Sequence, residues 1–222
     1  MPTVGVCLSG CGFLDGAEIY ESVATLYNLE RAGADILAIA PNIDQMHVVN
    51  HVTGEAVAGE TRNVLVEAAR IVRGEIKDLA EVTAEDMDAL IFPGGYGVAK
   101  NLSTYAFEGP NCQVDEEVQR LVREIIAANK PLGVICIAPA MLAKILEGLG
   151  VNTQLTIGND PATAQDIEEM GTTHVACSVT KHITDKENKI VSTPAYMLAK
   201  KIGETWVGIE GLVNEVLALI DA

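Results

Sequence analysis

A doubly wound α/β sandwich, with a mainly parallel sheet and helices on both faces, is the fold this sequence predicts. Three observations carry it. Strand-like apolar runs and helix-like segments alternate along the whole length. Residues 1–40 read strand, glycine-rich loop, helix, strand, a unit that calls for parallel pairing. Several apolar runs then end on Gly, Pro or Cys, chemistry suited to the carboxyl rim of such a sheet.

Taken in order, Thr3 to Leu8 (TVGVCL) reads as a buried strand and Ser9 to Gly16 (SGCGFLDG) as the loop. Ala17 to Ala32 has helical spacing, with Ile19, Val23, Leu26 and Leu29 on one side, and Gly33 stops it. Asp35 to Ala40 (DILAIA) is the second strand, ended by Pro41. Residues 41–60 are less regular and hold His47 and His51. The pattern predicts a helix over Thr61 to Ile71 and a short strand over Asp78 to Ala80. Ala89 to Phe92 (ALIF) is a buried strand closing on Pro93-Gly94-Gly95. Val114 to Ala128 is amphipathic and helical, Leu132 to Ile135 is a strand, and Ala138 to Leu146 is the helix after it. Thr153 to Ile157 reads as a strand, Pro161 to Met170 as a helix and Val175 to Val179 as a strand. Ile183-Thr184 and Lys189 to Ser192 flank the turn DKEN as late strands. Ala195 to Ile220 is mostly helical, with an interruption expected near Gly203 to Gly211.

The bulk properties narrow the function. With 222 residues, 49% of them hydrophobic, the chain can bury one substantial core, and nothing marks a linker. A single domain over 1–222 is expected. No run approaches the roughly 18 apolar residues of a membrane span. The start, MPTVGVCLSG, has no charged leader pattern, so a cytoplasmic location is the expectation. A formal charge of −16, from 31 acidic and 15 basic residues, repels phosphate backbones, so no nucleic-acid partner is expected. Cys7, Cys11, Cys112, Cys136 and Cys177 contain no C-x-x-C pair, which argues against a structural metal or a disulfide framework.

Three loops leave strand ends with unusual chemistry: Ser9 to Gly16, Pro93 to Gly97 and Cys136 to Pro139. In the first, Gly10, Gly12 and Gly16 are spaced one residue too widely for the dinucleotide fingerprint, and no acid ends the second strand. A glycine loop that lets a helix pack close is the simpler reading, and no cofactor is expected. Cys136 lies between a strand and a helix. Buried cysteines are commonly inert small hydrophobes. Against that, a helix N-terminus beneath the thiol favours a thiolate. Gly95 and Ile137 could supply backbone amides to a developing oxyanion. Glu18 and Glu21 open the first helix, from which a carboxyl can reach the same rim, although a solvated first-turn glutamate is the commoner reading of each.

The blocks SGCGFLDGAEIYE, VNHVTGE, ETRNVLVEAARIVRGEI, ALIFPGGYGVAKNL, PLGVICIAPAML, LTIGND and KIVSTPAYMLA together resemble the ElbB-type proteins, in the ThiJ/PfpI branch of the class I glutamine-amidotransferase-like superfamily. The resemblance spans nearly the whole chain. It implies a flavodoxin-like sandwich, a nucleophile-elbow cysteine at Cys136, a homodimer, and conversion of glyoxal to glycolate without glutathione or metal, with deglycase-like activity alongside. It places the carboxyl partner on Glu21, in Gly16-Ala17-Glu18-Ile19-Tyr20-Glu21, and the oxyanion donors on Gly95 and Ile137. Hydrolytic members of the superfamily carry histidine directly after the cysteine. Here that residue is Ile137, which argues against peptidase and amidotransferase chemistry.

His51, inside VNHVTGE, is the histidine expected nearest the site, with Glu18 as a second substrate-site candidate. Cys11 could approach Cys136 as a redox partner. Cys7 and Cys177 read as core, and His174 and His182 as surface groups. Two functional readings stand: an enzyme acting on a small dicarbonyl, and a redox-responsive or interaction protein whose elbow cysteine is oxidised.

Overall fold

The structure, a computed structural model, describes residues 1–220. In chain order the elements are β1 (Thr3–Cys7), α1 (Ile19–Arg31), β2 (Asp35–Ala40), β3 (Val49–Asn50), β4 (Glu55–Ala56), α2 (Val64–Ala68), β5 (Lys77–Asp78) and β6 (Ala89–Phe92). Next come α3 (Tyr96–Lys100), α4 (Tyr105–Glu108), α5 (Glu116–Ala127), β7 (Leu132–Ile135), α6 (Ala138–Leu149), β8 (Gln154–Leu155) and α7 (Pro161–Glu169). The chain ends with β9 (Thr173–His174), β10 (Ile183–Asp185), β11 (Ile190–Thr193) and α8 (Ile202–Ile220).

Seven strands form one sheet in the order β10-β11-β7-β6-β1-β2-β5. Every pairing in it is parallel except β10 with β11. The chain winds outward from β1 through β2 to β5, then returns to β6 on the other side of β1. The strand order therefore reverses between β1 and β6, where a doubly wound sheet opens its binding crevice. Register aligns the carboxyl ends: Val6 lies opposite Ile91, and Phe92 opposite Val134. All four residues of β6 and of β7 are buried, as expected for strands covered on both faces. One face packs Ala24, Leu29, Val64, Ala68, Ile209 and Leu212 from α1, α2 and α8. The other packs Val98, Val118, Leu121, Leu142, Leu146 and Ile167 from α3, α5, α6 and α7. This is the expected flavodoxin-like α/β architecture with helices on both faces.

Several expectations are corrected. The sequence pattern put the apolar stripe of α1 inward, but Ile19 and Val23 are exposed, whereas Glu21, Ser22, Thr25 and Asn28 are buried. The burial of Ser22, Thr25 and Asn28 is tolerable because each donates to a carbonyl of its own chain. Ser22 Oγ donates to Glu18, Thr25 Oγ1 to Glu21 and Asn28 Nδ2 to Ala24, at 2.7, 2.8 and 2.9 Å. The predicted helix from Thr61 starts only at Val64, capped by Asn63, and stops at Ala68 before the left-handed residues Arg73 and Gly74. Val175 to Val179 is not a strand; pairing with β8 is confined to Thr173 and His174. Two short helices, α3 and α4, follow β6 where none was expected. Finally, α8 runs without a break through Gly203 to Gly211. Two of its glycines serve close approach: a Cβ on Gly208 would stand 2.5 Å from the Val179 carbonyl oxygen, and one on Gly211 would stand 2.8 Å from the His182 ring.

Candidate active site

Strands β1, β6, β7 and β11 lie close together in the sheet, so the loops at their carboxyl ends converge. Cys136 is the first residue past β7. Its N–H still donates to the Thr193 carbonyl of β11 at 3.0 Å, yet its φ is +61. A non-glycine residue in that region carries about 1–3 kcal/mol of strain and persists only where its surroundings impose it. The turn lifts the thiol over the start of α6, whose Ile137 cap offers no side chain to the helix's free N–H groups. The backbone N–H groups of Gly95 and Ile137 both face the sulfur closely enough to hold its pKa down.

Glu21 sits beneath this thiol with no exposed surface. Its Oε2 accepts the Gly94 N–H at 2.9 Å and its Oε1 accepts the Tyr196 N–H at 3.1 Å. One side chain from α1 thus ties together the loops that follow β6 and β11. Burial, followed by the charge of Glu18, pushes the Glu21 carboxyl up to about 8, against the pull of the Tyr196 and Gly94 amides. Glu21 therefore holds its proton at neutral pH. The expected depressed thiol is corrected. Burial first, then the Glu21 charge, raise Cys136 well above the ordinary cysteine range and outweigh the two amides.

The glycine-rich loop serves packing. Its backbone docks on the loop after β6: Tyr96 N–H donates to the Phe13 carbonyl at 2.8 Å, Gly97 N–H to Gly16 at 2.9 Å, and Glu18 N–H to Gly94 at 2.9 Å. No side chain fits between them. A Cβ on Gly94 would lie 2.5 Å from the Cys136 Cβ and 2.7 Å from Glu21 Oε2. Gly95, with φ +101, would place one 2.4 Å from both Glu18 N and Gly16 O.

A cavity of about 710 Å³ opens in front of the thiol. Cys136, Gly95, Ile137 and Glu18 line it, so the rim brings these expected residues together, with Glu21 directly behind. His51 does not line it. That ring packs edge-on to Phe13, with centroids 5.5 Å apart, and accepts the Leu14 N–H at 3.3 Å, so it braces the loop from outside. Cys11 does not line the cavity; it and Cys136 are both free thiols, and the charged neighbours of Cys11 are Glu67, Arg70 and Asp15. Cys7 is core, but Cys177 is half-buried in a loop, with its thiol directed to the Ser178 carbonyl. His174 is also half-buried, near the Ile157 N–H at 3.4 Å.

Sequence reasoning missed Tyr196, Tyr105 and Asp160, all of which line the cavity. Tyr196 follows β11, and the same strand-end argument that singled out Cys136 would have found it. Asp160 caps α7 by accepting the Thr163 N–H at 2.9 Å, and an Asp-Pro pair before a helical run is a legible cap signal.

The sequence pattern of the DJ-1/PfpI family matches residues 11–193. A human protein, glutamine amidotransferase-like class 1 domain-containing protein 3, mitochondrial, is 44% identical over 97% of this chain and 82% of its own. The rat ES1 protein homolog, mitochondrial, is 43% identical over 97% and 83%. A crystal structure of an isoprenoid biosynthesis protein with amidotransferase-like domain, from Ehrlichia chaffeensis, superposes with a TM-score of 0.92 at 37% identity, covering 99% of each chain. Glyoxalase III from Candida albicans shares the fold, with a TM-score of 0.62 at 13% identity over 98% of this chain and 97% of its own. The expectation of a cytoplasmic location is overturned by the two mammalian relatives, whose names place them in mitochondria and point away from the cytoplasm.

Proposed function

The chain belongs to the DJ-1/PfpI family, and on that premise we propose that it is a glutathione-independent glyoxalase of the ElbB type, turning glyoxal into glycolate through Cys136. The observation that carries this reading is one strained cysteine at the end of β7, faced by the Gly95 and Ile137 amides and backed by a protonated Glu21.

Sulfur bonds to one carbonyl carbon of glyoxal, and the thiol proton ends on the carbonyl oxygen, giving a hemithioacetal. As charge builds on that oxygen, the amides that face the sulfur are placed to receive it. Removal of the carbon-bound proton gives an enediol, and its return to the neighbouring carbon gives the thioester of glycolate. Water cleaves the thioester, releases glycolate and restores the thiol. One carbon is oxidised as its neighbour is reduced, so no outside electron acceptor is needed. Glu21, held up to about 8, is suited to manage the thiol proton near neutral pH. The carbon-bound proton moves inside the cavity, and of the two acids it is Glu18 that lines it.

The oxidation-sensor reading draws on the same thiol, and the two readings are separated by mass spectrometry of the Cys136 peptide after mild peroxide beside glyoxal turnover. The proposal includes a single domain over 1–222 and a homodimer, the latter checked by light scattering. The decisive measurement is glycolate formation from glyoxal without glutathione, in wild type and Cys136→Ala. Loss of turnover in the variant is expected; equal rates would remove Cys136 from the chemistry.

A further inference from the structure

The cavity is far larger than its proposed substrate. Glyoxal has two carbons and two oxygens, whereas about 710 Å³ falls within the roughly 300–1,000 Å³ that holds drug-sized ligands. Four of the chain's five tyrosines, Tyr20, Tyr96, Tyr105 and Tyr196, line it. The ionisable side chains among them are otherwise acidic, Glu18 and Asp160, beside the thiol of Cys136. Among the described residues, no lysine, arginine or histidine lines it. Lys100 stands against the wall: its Nζ lies 5.1 Å from the Tyr96 ring centroid and donates to the Leu14 carbonyl at 3.0 Å.

Each part has a consequence for what binds. Aromatic faces carry negative potential and attract cations, more strongly when water is excluded. Asp160 is a fixed anion, because the Thr163 N–H and hydroxyl hold its carboxyl below the usual range. Tyr105 is locked by donating its hydroxyl to Asp166 at 2.7 Å on the same helix, α7, so the aromatic wall and the acid are braced by one element. An anionic substrate entering here would meet the Asp160 carboxylate, with no cationic side chain among the lining residues to offset it.

We propose that this cavity selects cationic and neutral carbonyl compounds with an apolar or planar body over anionic ones, and that Asp160 is the specificity-determining charge. Phosphorylated and carboxylated aldehydes are excluded, and a small carbonyl compound bearing an ammonium group or a planar neutral body fits. This deepens the reading of Cys136 as a carbonyl-attacking thiol and rests on it.

The test uses three methanethiosulfonates of similar size, bearing a trimethylammonium, a neutral or a sulfonate head, with the full chain at neutral pH. Modification is read on the Cys136 peptide by mass spectrometry, so the other thiols do not interfere. The cationic-to-anionic rate ratio should be about tenfold higher in the folded protein than in the urea-unfolded chain. In Asp160→Asn, where asparagine still caps α7, that ratio should fall about threefold when normalised to the neutral reagent. A folded-state ratio equal to the unfolded one overturns the proposal, as does a ratio indifferent to Asp160→Asn. Because no turnover is read, this result is independent of whether glyoxal is converted.

Discussion

Glu21 Oε2 accepts the Gly94 N–H at 2.9 Å, and the next amide along, that of Gly95, faces the Cys136 sulfur. The acid therefore bears on both the position of the amide proposed as an oxyanion donor and the electrostatics of the thiol.

Replacing Glu21 tests the second role. Its charge raises the Cys136 pKa, so Glu21→Gln should move the alkylation-rate profile of Cys136 to lower pH, most visibly above about 8, where the wild-type carboxyl ionises. An unchanged profile would mean that the two groups are not coupled. Glutamine can accept one of the two amides but not both, so the variant should also lose about 1–3 kcal/mol of stability.

The same carboxyl makes stability depend on pH. Its value is about 8 in the folded protein against an ordinary 4.5. Between these the unfolded chain releases a proton that the folded protein keeps. The contribution is fully present below about 4.5 and is lost as pH rises through about 8, at up to about 1.4 kcal/mol per pH unit. Urea unfolding of wild type and Glu21→Gln across this range should show the flatter profile in the variant. Parallel curves would place the titration elsewhere.

Glu18→Gln separates the two acids. Glu18 lines the cavity and Glu21 does not. Its removal should lower kcat on glyoxal about 10²-fold while leaving the Cys136 alkylation profile closer to wild type than Glu21→Gln does. A full kcat in Glu18→Gln would return the carbon-bound proton to Glu21.

Gly94→Ala should abolish turnover, because its Cβ would occupy space held by the Cys136 Cβ and Glu21 Oε2. Gly95→Ala should be the less stable of the two. Its Cβ meets backbone on two sides and its φ of +101 disfavours any side chain. Thermal melting of both variants decides the order.

His51→Ala should raise KM through the loosened Phe13 loop and leave kcat near wild type, since the ring contacts Phe13 and Leu14 and does not reach the cavity. A collapse of kcat would put His51 in the chemistry.

Much of this arrangement is written locally. DILAIA, ALIF and LGVI are apolar runs closed by Pro41, Pro93 and the Cys136 turn, and the strands end where those residues stand. Parallel pairing follows from alternation of strands and helices, and it is parallel pairing that gathers Glu18, Gly95, Cys136 and Ile137 at one rim. Tertiary structure decided what depends on sums through space. The stripe of α1 did not show which side meets the sheet, because Ser22, Thr25 and Asn28 each donate to a carbonyl of their own helix turn, which lowers the cost of burying them. The direction of the thiol shift was also illegible. A helix start argues for a thiolate, and only burial beside Glu21 reverses it, because desolvation grows with every neighbour that replaces water. His51 and Asp160 traded places for a similar reason. One sits behind Phe13 and the other faces the cavity from a helix that lies far along the chain, and sequence spacing carries no record of which side of a wall a residue will occupy.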